Sequence, residues 1–151
     1  MAVSVSAGTG VIGVMGNETD NPFPQKTRAI LGSAIEVHRV LGPGLLESTY
    51  RACLVRQLLA DGMSVQEEVP IALNYKGFLL DVGYRADIIV DQCVLLELKA
   101  VDSILPVHEA QILTYLKHAG MPIGLLINFN VRNLMTGVRR FVRTRSAARY
   151  S

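Results

Sequence analysis

The sequence is poor in the residues that build disulfide scaffolds and soft metal cages, with two cysteines and three histidines in 151 residues. Cys53 and Cys93 are far apart and fall inside expected elements rather than in loops. They read as reduced core residues, and no Cys/His cluster argues for zinc. The expectation is therefore a cytoplasmic protein without a disulfide framework. No apolar run approaches the ~18 residues a membrane span needs. The first sixteen residues are small and mostly apolar, but they contain no lysine or arginine and so do not match a secretion signal. Residues 1–22, rich in Gly, Ser and Thr, read as a flexible leader. There is no internal repeat, so solenoid and array architectures are excluded.

What is present is a globular composition: 50% hydrophobic, 19% charged, and a length suited to one core. Acid is missing from one end. Residues 1–130 hold nine Lys and Arg against thirteen Asp and Glu, whereas 131–151 hold six arginines and no acid. Such an end can neutralise phosphates and attract nucleic acid, with Arg139, Arg140, Arg143 and Arg145 as the contacts. Taken alone, it is better explained as a solvated basic tail over 144–151.

Apolar spacing predicts a helix from Pro24 to Leu41, with Ile30, Leu31, Ala34, Ile35, His38 and Leu41 on one face. Gly42-Pro43-Gly44 breaks it. A second helix spans Leu45 to Ala60, burying Leu46, Tyr50, Cys53, Leu54, Gln57 and Leu58, and stops at Asp61-Gly62. Strands follow over Val65–Tyr75 and Phe78–Val90, joined by a Lys76-Gly77 turn, with Gly83 as a bulge. Asp91-Gln92 turns the chain into a third strand, Cys93–Val101. Pro106 opens a helix ending at Gly120. Met121–Asn128 is a buried strand and Val138–Val142 a final edge strand. The order α-α-β-β-β-α-β(-β) describes an α/β domain with one mixed sheet flanked by helices, over residues 23–143.

Three residues stand out chemically. Glu97 and Lys99 are two apart, so on a strand they share a side of the sheet. Both interrupt an apolar segment, where an unpaired charge is costly. A mutual salt bridge would explain that pair by itself. Asp87, on the neighbouring strand across a short turn, changes the reading, because the hairpin can bring it beside Glu97. Two adjacent carboxylates resist ionisation unless a cation sits between them, and hard oxygen ligands suit Mg²⁺ or Mn²⁺. On the third helix, His108, Gln111 and Tyr115 share one face. By residue type alone they read as a helix cap, a surface amide and a half-buried ring. Tyr50 reads as a core residue whose hydroxyl finds a polar partner. Arg85 reads as an ion-pairing or packing residue, and His38 and His118 as surface or cap residues.

Gly44-Leu45-Leu46-Glu47-Ser48-Thr49-Tyr50 reads as a GxxExxY signature. With Tyr84-Arg85-Ala86-Asp87, Glu97-Leu98-Lys99 and His108-Glu109-Ala110-Gln111, it resembles the GxxExxY family of the PD-(D/E)XK nuclease superfamily, over about residues 26–143. The resemblance implies a restriction-endonuclease-like core. It implies metal-binding carboxylates at Asp87 and Glu97, a backbone ligand at the Leu98 carbonyl and an additional helical acid at Glu47. Lys99 matches the motif lysine that orients water or stabilises phosphate charge. Gln111 and Tyr115 are similar to the QxxxY element of RecB-like nucleases, which implies that they border the active site, with His108 on the same face in support. Ala86 stands where the superfamily's name expects proline, which removes no ligand.

The expected activity is Mg²⁺- or Mn²⁺-dependent hydrolysis of phosphodiester bonds in nucleic acid, DNA before RNA, with no membrane partner. The alternative is a catalytically inactive nucleic-acid-binding or protein-interaction module on the same fold. The mean hydropathy of +0.31 is compatible with a homodimer or an oligomerisation domain.

Overall fold

The computed structural model describes residues 21–143, together with the backbone of the two segments 2–5 and 11–14. Helix α1 (Pro24–Leu41) begins with proline in its first turn, where the missing N–H costs nothing. It ends at Gly42, whose φ of 68° is glycine territory. Helix α2 (Glu47–Ala60) packs beside it and stops at Asp61. Next come β3 (Val65–Pro70), β4 (Leu73–Tyr75), β5 (Phe78–Leu80), β6 (Arg85–Val90) and β7 (Val94–Lys99). Helix α3 (Pro106–Ala119) carries the chain back to β8 (Ile123–Asn128), and β9 (Val138–Arg143) follows a short 3-10 turn at Leu134–Gly137. Two strands precede all of these, β1 (Ala2–Val5) and β2 (Val11–Val14).

The main sheet runs β1-β2-β9-β8-β7-β6-β3. Its pairs are antiparallel except β7 with β8, which run parallel because α3 crosses over between them. β7 is an interior strand between β8 and β6, with Val94 to Leu98 all buried. Strands covered on both faces read as near-continuous apolar runs, which is how β7 and β8 look in sequence. One core cluster joins α1 and α2 to the sheet through Ile30, Tyr50, Leu54, Leu96, Leu98 and Phe129. The other joins α3 to the opposite face through Ile112, Leu116, Leu95, Leu126 and Phe141. Gly124 lets α3 approach closely: a Cβ there would lie 3.0 Å from Ile112 and 3.1 Å from Leu116. The result is the expected mixed sheet between helices, the restriction-endonuclease-like arrangement.

Several expectations need correcting. No strand was expected before Val65, yet β1 and β2 extend the sheet through β9. β9 is therefore flanked by β8 and β2 rather than lying at an edge. The rest of the expected leader before residue 21, and the tail 144–151, lie outside the described residues. The two long strands expected over Val65–Tyr75 and Phe78–Val90 are each broken. Their inner halves, β4 and β5, leave the sheet as a separate hairpin. Bonding to β6 runs one residue past Pro70, to the Ile71 N–H on the Tyr84 carbonyl at 2.9 Å, and Gly83 takes a φ of 91° in the break before β6. On α1, Ile35 is exposed and Val37 is buried, so the inner face is rotated from the expected stripe. On α2, Leu46 lies outside the helix and is exposed. Cys53 is half-buried rather than core, whereas Cys93 is buried; both are free thiols.

Tyr50 is fully buried and stacks on Phe129 with ring centroids 4.6 Å apart. Its hydroxyl donates to the Gly42 carbonyl at 2.5 Å and accepts from the Leu45 N–H at 3.2 Å. The ring thus anchors the Gly-Pro-Gly turn that delivers Glu47 to the start of α2. Tyr50→Phe keeps the stack and removes both bonds. It should lower stability by about 1–2 kcal/mol in denaturant titration while leaving the far-UV spectrum unchanged.

Candidate active site

The β6–β7 ladder pairs Val90 with Val94, Ile89 with Leu95 and Ile88 with Leu96, and then stops. By register the next rung is Asp87 opposite Glu97. Side chains replace the backbone bonds there. The Asp87 N–H donates to Glu97 Oε1 at 3.1 Å, and the Leu98 N–H donates to Asp87 Oδ2 at 2.7 Å. Each carboxylate is thereby fixed by the opposing strand, and the two acids are brought together where the strands part.

This placement is electrostatically unfavourable. Glu97 is only 4% exposed, on the interior strand β7. Burial, and then the charge of Asp87, push its carboxyl up to about 8. Burial also raises Asp87 above the usual carboxylate range, against the lowering effects of the Leu98 N–H and the Lys99 charge. Glu47, exposed at the first position of α2, is raised by partial desolvation and then by the charge of Asp87. Near neutral pH, Glu97 holds a proton that a cation could replace.

Lys99 ends β7, half-buried, with its Nζ 3.3 Å from Gln111 Oε1. Lysine has only donors, so Gln111 must offer its oxygen and keep its amide NH₂ for elsewhere. That NH₂ donates to the Tyr115 hydroxyl at 2.9 Å. Tyr115 is buried, and burial is the main cause of its raised pKa. The structure therefore brings together Asp87, Glu97, Lys99, Gln111 and Tyr115. Glu47 approaches from the helical side without closing the group. Among the described residues, no three His, Cys, Asp or Glu side chains cluster tightly enough for a preformed metal cage.

Other expected site residues lie elsewhere. His108 caps α3, its Nδ1 accepting from the Leu105 N–H at 3.0 Å, so it is a cap rather than a lining residue. Tyr50 is core. Arg139 is half-buried and donates to the Thr136 and Val138 carbonyls. Arg140 is 9% exposed, which corrects its expected place on a basic surface. Alternation along β9 turns it inward while its neighbour Arg139 stays more open. Arg143 sits at the far end of β9 from the acid pair, and Arg145 lies outside the described residues. His38 bonds the Val131 carbonyl at 2.7 Å, and His118 accepts from the Asn74 N–H at 3.1 Å, both packing roles.

Two residues were missed. Arg51 pairs with Glu68 at 3.2 Å, and its charge lowers both Asp87 and Glu47. Its position four residues after Glu47 on the same helix was the available signal. Glu68 stands opposite Asp87 in the β3–β6 register with a φ of 48°, a conformation non-glycine residues rarely adopt in a strand. Nothing in the local sequence announces that backbone.

A central mixed sheet between helices, with paired acids at the parting of two strands and a lysine two residues beyond, defines the restriction-endonuclease-like class. The family model of the PD-(D/E)XK nuclease superfamily matches residues 24–141, and the chain belongs to that superfamily. No curated protein and no solved structure matches the chain.

The pH consequence has a definite sign. Glu97 titrates near 8 when folded, against an ordinary 4.5. Its contribution to stability is complete below 4.5 and is lost as pH rises through 8. Glu97→Gln should flatten the fall in melting temperature across that window. It should also raise the melting temperature at pH 8.5 by roughly 5 °C, measured by calorimetry without divalent ions.

Proposed function

We propose that residues 23–143 form a metal-dependent nuclease of the GxxExxY branch, hydrolysing phosphodiester bonds in nucleic acid, DNA in preference to RNA. The observation that carries this reading is the open rung at Asp87 and Glu97 with Lys99 directly beyond it. The donor set suits a hard divalent ion: carboxylate and peptide oxygens, with no thiol or imidazole alongside. Asp87 and Glu97 would hold Mg²⁺ or Mn²⁺, with the Leu98 carbonyl and Glu47 as further oxygen donors. Bound there, such an ion supplies Lewis acidity toward a phosphate oxygen and lowers the pKa of water.

The remaining roles belong to the chain. Asp87 and Glu97 each accept one N–H bond across the two strands, which holds them side by side where a phosphate would be bound. Glu97 releases its proton as the site becomes occupied. Lys99 is steered by Gln111, itself held by Tyr115, and its ammonium offsets charge developing on the attacked phosphate and orients the attacking water. Arg51 tempers the acid cluster so that an anionic substrate can approach. Arg139, level with Glu97 two strands away, and the more distant Arg143 would act only as long-range attraction for the backbone, without reading bases.

The test is cleavage of labelled DNA and RNA, single- and double-stranded, by purified protein with Mg²⁺ or Mn²⁺. Asp87→Asn and Lys99→Ala should each reduce the rate by roughly 100-fold or more while preserving the fold. Cleavage unaffected by both substitutions would overturn the assignment. Nucleic acid bound without cleavage or metal uptake would instead identify a binding module on this fold.

A further inference from the structure

A cavity of ≈ 230 Å³ opens beside the acid pair, between α3 and the β4–β5 hairpin. It shares two residues with the site, Gln111 and Tyr115; its other walls include Leu73, Tyr84, Val107 and Thr114. None of these carries a charge. A phosphate would find no counter-charge there, and a cation no carboxylate, so the space suits a neutral group. The lining is also not purely apolar. Gln111 Nε2 spends one hydrogen on Tyr115, which leaves a second. The Tyr115 hydroxyl, accepting from Gln111, retains its own proton to donate. Thr114 is already engaged with the Ala110 carbonyl. The cavity thus combines an apolar and aromatic lining with two side chains that each keep a proton to donate, the pattern that a heteroaromatic ring with acceptor edges would satisfy.

The surface continues in the same character. Tyr84 stands edge-on to Tyr115 at 6.0 Å and is 42% exposed. Along β4, Leu73 and Tyr75 fall on one face, and their β5 partners are Leu80 and Phe78. Tyr75 and Phe78 are exposed by 60% and 71%, an aromatic pair with no packing role. Lys76 at the turn places its ammonium 5.4 Å from the Tyr75 ring centre. The His118 bond to Asn74 fastens this hairpin to α3, so the aromatic face stays in line with the cavity.

We propose that this cavity takes an unpaired nucleobase next to the scissile phosphate, with following bases stacking on Tyr75 and Phe78 and Lys76 near their backbone. The inference rests on the nuclease reading and deepens it: the substrate is single-stranded, or locally unpaired, nucleic acid. A base held in a duplex cannot enter the cavity without leaving its stack, whereas an unpaired base enters at little cost.

The test measures binding separately from cleavage. Full-length Asp87→Asn protein is titrated into fluorescent 20-mers, single-stranded DNA, single-stranded RNA and blunt duplex DNA, and followed by anisotropy in Ca²⁺. One single strand of at least one sugar type should bind roughly tenfold or more tighter than duplex. Tyr84→Ala and the Tyr75→Ser/Phe78→Ser pair should each weaken single-strand binding about five- to tenfold. Tyr84→Phe should not, and duplex binding should be unaffected. Melting curves of each variant exclude unfolding. Equal affinity for duplex, indifference to these substitutions, or no binding to any strand overturns the proposal. Duplex cleavage without a single-strand preference would remove the base pocket and keep the nuclease. A single-strand preference without cleavage would do the reverse.

Discussion

The structure turns on a backbone ladder that is left unfinished. β6 and β7 pair normally until Ile88 and Leu96, and the next rung is made by carboxylates instead of peptides. A buried carboxylate normally demands a cation or a proton. Here the strand N–H groups satisfy one oxygen of each acid, and near neutral pH a proton on Glu97 relieves the repulsion that two adjacent carboxylates would otherwise suffer. The interior position of β7 makes this tolerable, because the apolar contacts of Leu95, Leu96 and Leu98 bury the strand regardless of what Glu97 costs. Stability elsewhere in the core thus sustains a locally unfavourable arrangement.

Each side of the sheet contributes differently to that arrangement. From the α2 side come Glu47 and Arg51, an acid and a base whose opposing influences meet on Asp87. Tyr50 connects this side to the core, so the turn before α2 is set by a stacked ring rather than by a cap. From the α3 side comes a relay of polar contacts, Lys99 to Gln111 to Tyr115, whose hydrogen-bond directions are dictated by the lysine having only protons to give. Membership of the PD-(D/E)XK nuclease superfamily fits this arrangement, in which the paired acids lie on the sheet and side chains of α2 and α3 approach them from either side.

Much of this was legible from residue types. Pro24 and Gly42 delimit α1 because both act through backbone geometry, which needs no tertiary context. Asp87 and Glu97 could be paired because a short turn and a two-residue period leave little freedom in how adjacent strands align. The β4–β5 hairpin was hidden, since an alternating pattern looks the same whether a strand stays in its sheet or departs from it; only Gly83 hinted at a break. The burial of Arg140 was equally hidden, because a basic run gives no sign of which arginines face inward. Glu68 is the extreme case, where a left-handed backbone opposite the acid pair follows from the fold as a whole.

Gly124 sets a tolerance for the whole site. It has no catalytic atom and lies on the strand beyond β7, yet it fixes how near α3 can settle onto the sheet. Ile112 and Leu116, the residues that rest over it, are the immediate sequence neighbours of Gln111 and Tyr115. A methyl at position 124 would press on the side-chain ends of Ile112 and Leu116, which must give way by a few tenths of an ångström on the same helix turns that carry the amide facing Lys99 at 3.3 Å. The missing side chain on the neighbouring strand is thus what lets those two residues seat under Gln111 and Tyr115 without adjustment.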